Sequence, residues 1–207
     1  MKNKKIINDF LIVNCTGKND FIALKTDNKF FIKKLQTNIT KSETLTLEII
    51  TFVRKHNIKL DSDFSVLINS GPGSFSGVRI SLAVVKGIKL VKKINIYAYN
   101  SFLLNAAPYL AEKKKILSLQ KINNFYYSCK FIFKKKYRFT FPKKIDLNKL
   151  KKTEFLIIIP TEIKNDAIIK NMNPNKIRYA EFNVKNIDIL IENGLVENKL
   201  IKPLYLS

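Results

Sequence analysis

A glycine turn constrains this chain more than any other stretch. Four of its six glycines fall between Gly71 and Gly87. Ser70-Gly71-Pro72-Gly73-Ser74-Phe75-Ser76-Gly77-Val78-Arg79-Ile80 follows an apolar run, Phe64 to Ile68, and opens a helical pattern that lasts to about Val91. A strand that passes through glycines into a helix is an α/β element. Such turns can cradle phosphates, but three phosphate-loop patterns fail here. A P-loop needs Lys and Ser/Thr after its last glycine, and Val78-Arg79 stand there. A dinucleotide fingerprint has two residues between its second and third glycines; Ser74-Phe75-Ser76 make three. A kinase glycine loop lies in a hairpin, not before a helix. Amides at a helix N-terminus can still hold an anion. The plainer role is a tight turn in which Gly73 and Gly77 permit φ > 0 or close backbone packing.

The flanking pattern supplies the rest of a first domain, 1–100. Phe10 to Val13, Phe21 to Thr26 and Phe30 to Leu35 read as an antiparallel meander, the last two joined by Asp27-Asn28. Ser42 is a candidate N-cap for a helix to about Lys55. With the strands Phe64 to Ile68 and Ile94 to Tyr99, the order is β-β-β-α-β-α-β. The second domain, 101–207, reads as a short helix from Phe102 to Leu110, then strands over Lys115 to Leu119, Phe125 to Phe133 and Tyr137 to Phe141. A polar surface loop is expected over 142–152. A buried strand (Phe155 to Ile159), a weaker one (Ile177 to Ala180) and a helix over Asn186 to Glu192 stopped by Gly194 complete it.

Formal charge is extreme, +22 over 207 residues. Nucleic acid or another anionic surface is one reading. The other is drift toward lysine, asparagine and isoleucine: only Arg54, Arg79, Arg138 and Arg178 are arginines, whereas RNA readers favour arginine. Weak, non-specific RNA affinity follows from either. Cys15 and Cys129 have no ligand-spaced neighbours, so no metal site is expected. No signal peptide or membrane span is read, and the expected location is cytoplasmic. His56, the single histidine, is expected at a helix end facing solvent or the helix dipole. Tyr126-Tyr127 are expected in the core of an alternating strand, with base stacking as the alternative.

Gly71 to Ile80, continuing through Ala83 to Lys86-Gly87, resembles the signature of the TsaB (YeaZ-type) family, the non-catalytic partner in bacterial tRNA threonylcarbamoyladenosine synthesis. Ser76 stands where that signature has threonine, and Val78 where it has leucine. Ser42-Glu43 with Leu45 is similar to the family's His-Ser-Glu helix start, with Lys41 in place of the histidine. Pro203-Leu204-Tyr205-Leu206 resembles its C-terminal Pro-x-Tyr-Leu, with Ser207 in place of arginine. The resemblance implies an actin-like fold of two lobes, each a mixed sheet with helices, the second trimmed. It implies a scaffold that binds and activates the catalytic subunit TsaD, joined by the ATPase TsaE, with no catalytic residue, cofactor or metal of its own. Two stretches depart from the family. Asn14-Cys15-Thr16-Gly17 replaces Asp-Thr-Ser, and Gln120-Lys121-Ile122 replaces Asp-Ala-Arg.

Two other functions carry discriminators. An actin-like ATP-binding protein or phosphotransferase needs an acid at the end of the first strand to position magnesium, and Asn14 argues against it. A basic RNA-binding module needs an arginine and aromatic cluster, which the sequence does not show. For the scaffold, the two long helices each carry two apolar stripes. Val78, Leu82 and Val85 form one on the second helix; Ile80, Val84, Ile88 and Val91 form the other. Leu45, Ile49, Phe52 and Val53 oppose Leu47 and Ile50 on the first. One stripe should face the core and one a partner. The candidate interface is Leu45, Leu47, Ile50, Ile80, Val84, Val85 and Ile88. The same surface could pair two copies of the chain.

Overall fold

The computed structural model describes residues 7–17, 20–35, 42–112, 115–150, 153–198 and 201–206. The chain divides into two compact units: Met1–Asn100 with Val196–Tyr205, and Ser101–Leu195 with Leu206–Ser207. The tail corrects the sequence expectation, which gave all of 101–207 to the second domain. Val196–Tyr205 returns to the first unit because its backbone completes hydrogen bonds there. Ala98 N donates to Glu197 O at 2.6 Å, Glu197 N to Ala98 O at 2.9 Å, and Leu204 N to Ser70 O at 2.7 Å.

The first unit contains β1 (Phe10–Asn14), β2 (Phe21–Thr26), β3 (Lys29–Lys34), α1 (Ser42–Lys55), β4 (Ser65–Asn69), α2 (Phe75–Lys92) and β5 (Asn95–Tyr99). Its sheet runs β3-β2-β1-β4-β5. The first three strands are antiparallel, and β4 and β5 add in parallel on the other side of β1. Asp27 and Asn28 both take positive φ, the twist a two-residue hairpin turn requires. Central strands β1 and β4 are buried along their whole length, as continuous apolar runs allow. Leu45, Ile49, Phe52 and Val53 of α1 and Val78, Leu82, Val84 and Val85 of α2 share a core with Leu11, Val13, Ile22, Leu24, Val66 and Ile68. Helix α1 starts at Ser42; Lys41 before it, like Ser207, lies outside the described residues. His56 directly follows α1, at the helix end expected for it, and is half-buried there, not fully in solvent. Its ring packs 4.3 Å from Phe31 and 4.9 Å from Phe52, centroid to centroid.

The second unit contains α3 (Ser101–Ala106), β6 (Lys115–Ile122), β7 (Phe125–Phe133), β8 (Tyr137–Phe139), β9 (Lys143–Lys144), β10 (Leu156–Pro160), α4 (Ala167–Lys170), β11 (Ile177–Ala180) and α5 (Asn186–Glu192). Its sheet order β8-β7-β6-β10-β11 repeats that of the first unit, with the same switch from antiparallel to parallel pairing at its middle strand. The trimming lies in the crossovers. A 3-10 turn, Leu147–Leu150, stands where α1 would be, and the single turn α4 where α2 would be. The surface loop expected over 142–152 is corrected accordingly. Lys143–Lys144 pair with β7, and Leu147 and Leu150 are buried against Leu117, Leu119, Ile157 and Ile159, because the shortened crossover must still cover the sheet. Residues 151–152 lie outside the described residues. Gly194 ends α5 at φ +66 while Leu195 N donates back to Leu190 O at 2.8 Å, the expected glycine stop. Among the described residues, no helix is long and apolar enough to cross a membrane.

Candidate functional site: the glycine turn and the outer faces of the first unit

The turn between β4 and α2 is built against the end of β1. Asn14 and Asn69 close these adjacent strands, and both are buried. Asn69 Nδ2 donates to Asn14 Oδ1 at 2.7 Å, and Asn69 Oδ1 accepts from Gly71 N at 3.0 Å. The amide at position 14 is thus part of the scaffold of the turn. Gly71 takes φ +107 and precedes a cis bond to Pro72. Ser74 is the N-cap of α2: its Oγ accepts from Gly77 N at 3.2 Å, while its own N–H donates to Thr16 O at 2.8 Å.

Gly73 and Gly77 matter through close approach, not positive φ. A Cβ on Gly73 would lie 2.8 Å from Thr16 Cα and nearer still to Thr16 O; one on Gly77 would overlap Cys15 O. Backbone fills the space between the β1 turn and the glycine turn. Within α2, Gly77 N and Val78 N both donate to Ser74, to its Oγ and its carbonyl oxygen.

Titratable groups nearby are held neutral or engaged. Burial, aided by the charge of Asp20, pushes the Cys15 thiol up to about 12. Burial raises the Asp20 carboxyl above its ordinary value, offset in part by the 2.7 Å hydrogen bond from Gly17 N. Tyr99, fully buried, is raised by burial and then by Cys15. The hydroxyls of Ser74 and Ser76 lie 3.3 Å apart. Among the described residues, no group of three or more His, Cys, Asp or Glu could hold a metal. In the second unit Tyr127 is buried as expected. Tyr126 is only half-buried: its hydroxyl donates to Asp166, which Lys121 Nζ also meets at 2.8 Å. These bonds, Lys121 first, hold the Asp166 carboxyl below its usual range.

The candidate interface residues separate on the structure. Leu45, Val84 and Val85 are buried in the core of the first unit, which corrects their place in a partner surface. Val84 belongs to the second stripe in the sequence pattern, but α1 and α2 pack against each other and enclose it. Ile50, Ile80 and Ile88 are half-buried, the latter two at the edge of the core. Leu47 is 68% exposed. The outward face of α2 instead carries Ala83, Gly87, Leu90 and Val91; Leu90 is 85% exposed and Val91 76%, and nothing lies within 4 Å of a Cβ placed on Gly87. The sequence reading missed Leu90, which extends the face of Ala83 and Gly87 by one turn.

The arginine and aromatic cluster that the sequence does not show is assembled by the fold. Phe75 and Tyr205 have ring centroids 5.1 Å apart, and the Arg79 guanidinium lies 5.0 Å from the Phe75 centroid. Chain separation hides it: the tail must return before Tyr205 meets α2.

No family profile matches the sequence, and no curated protein matches it. Solved structures do. An uncharacterised Pseudomonas aeruginosa protein, described as similar to the peptidase YeaZ, superposes with a TM-score of 0.68 at 13% identity, covering 97% of this chain and 100% of its own. YeaZ from Pseudomonas aeruginosa gives 0.64 at 14% identity, covering 96% and 100%. The fold is that of YeaZ, an actin-like α/β fold with two mixed sheets.

Proposed function

We propose that this chain is a TsaB-type subunit: a non-catalytic scaffold that binds and activates a TsaD-type catalytic subunit for threonylcarbamoylation of the adenosine beside the anticodon of tRNA. A TsaE-type ATPase would join the complex. The observation that carries this reading is the closed glycine turn. The YeaZ fold keeps an actin-like frame, yet Gly73 and Gly77 lie in contact with the backbone of Thr16 and Cys15. Asn14 stands where a magnesium-positioning acid would be required, and its amide is bonded to Asn69. The chemistry is therefore assigned to the partner, and the work of this chain to its surface.

That surface is the outward face of α1 and α2. Leu47, Ala83, Gly87, Leu90 and Val91 expose small and apolar groups that water disfavours. Small residues let a second helix pair approach closely, as in four-helix packing. A second copy of this chain could occupy the same face. Co-expression with the host's TsaD-type protein tests the reading. A stable complex and restored threonylcarbamoyladenosine in a strain lacking its own TsaB are expected. Failure of both, with the chain folded, overturns it.

A further inference from the structure

Phe75, Arg79 and Tyr205 form an open stack on the first unit. Phe75 begins α2, and Arg79 lies one turn further on. Tyr205 is delivered by the returning tail, which is anchored by Leu204 N to Ser70 O at 2.7 Å and by Lys86 Nζ to Ile201 O at 3.1 Å. The two rings are inclined by 30°. Although they touch, Phe75 is 59% and Tyr205 50% exposed, so ring surface stays open to a further planar partner.

The surroundings are cationic. Helix α2 carries Arg79, Lys86, Lys89 and Lys92 and no acidic residue; residues 201–206 add an exposed Lys202 and likewise no acid. Stacked rings, a guanidinium and ammonium groups, on a helix and a tail segment that themselves carry no carboxylate, are the chemistry that holds unpaired bases and their phosphates. An acidic peptide would use the charges and leave the rings uncovered.

We propose that Phe75, Arg79 and Tyr205 are a stacking platform for an unpaired base of single-stranded RNA, with Lys202 and Lys86 beside its phosphates. The choice of RNA rests on the tRNA reading above; the stacking and the charge do not. Binding is measured on the isolated chain, so failure of the subunit reading and failure of the platform are separate results.

The experiment compares a short labelled oligouridine with an abasic strand of the same length. The wild-type chain is expected to prefer the strand with bases. Tyr205→Ala should weaken oligouridine binding about fivefold to a hundredfold, the range of one lost base stack, and leave abasic binding and the salt slope unchanged. Arg79→Lys should keep abasic binding and lose most of the preference, since lysine keeps the charge without the plane. Lys202→Gln should weaken both strands alike and lower the salt slope by about one. Photocrosslinking of 4-thiouridine RNA to the wild-type chain should label Phe75 or Tyr205, which reads the site without any substitution. Equal wild-type affinity for the two strands, or crosslinks confined to other residues, overturns the platform. So does a Tyr205→Ala loss that is equal on both strands.

Discussion

A Cβ on Gly77 would overlap the carbonyl oxygen of Cys15. The first turn of α2 therefore rests directly on the end of β1, and Gly73 does the same against Thr16. Even alanine should be rejected at either position. Gly73→Ala and Gly77→Ala should each destabilise by about 1–3 kcal/mol, the cost of overpacking. Gly87, with open space around its Cα, should behave oppositely: Gly87→Ala should gain about 0.5–1 kcal/mol of helix stability. Denaturant unfolding of the three variants checks the contrast; equal effects at 77 and 87 would remove the close-approach account.

Interface substitutions should divide by burial. Val84→Arg and Val85→Arg place a charge in the core of the first unit and should unfold it. Ala83→Arg, Leu90→Arg and Leu47→Arg should leave melting near wild type and abolish capture of a TsaD-type subunit. Pull-down alongside circular dichroism distinguishes the two groups. Capture that survives all three surface variants would move the interface off this face.

ATP should bind weakly, if at all, to the isolated chain. Gly77 N and Val78 N of α2 donate to Ser74, whose own N–H donates to Thr16 O, and the end of β1 carries an amide. Calorimetric titration with magnesium and ATP should give no saturable heat. A magnesium-dependent ATPase rate that Asn14→Ala abolishes would favour the phosphotransferase reading.

Asp20 should make stability fall as pH rises through the carboxylate range. Burial raises its folded pKa, so the folded state holds this proton more tightly than the unfolded chain does. The favourable contribution is complete below the unfolded pKa and lost as pH passes the folded one. Asp20→Asn keeps an oxygen for Gly17 N–H and cannot ionise. Its stability relative to wild type should therefore increase from acid to neutral pH. A difference constant over that range would show that Asp20 is not desolvated.

The sequence by itself determined the α/β class, the first unit's element order and the glycine turn. Each is local: periods of two and 3.6, a glycine where φ or space demands it, and a polar hairpin dipeptide at Asp27-Asn28. It also determined that α1 and α2 have more apolar surface than one sheet needs. Tertiary structure decided which of that surface is free. Val84 and Leu90 are both apolar positions on one helix; only the packing of α1 against α2 buries the first and leaves the second in water. The second unit's plan was hidden for a related reason, since a 3-10 turn and a single helical turn replace its long crossovers and are too short to show a period. The tail shows the limit most clearly. Tyr205 has no local reason to meet Phe75. Backbone hydrogen bonds from Glu197 and Leu204 to Ala98 and Ser70 bring it there, and pairings between such distant residues leave no pattern in a single sequence.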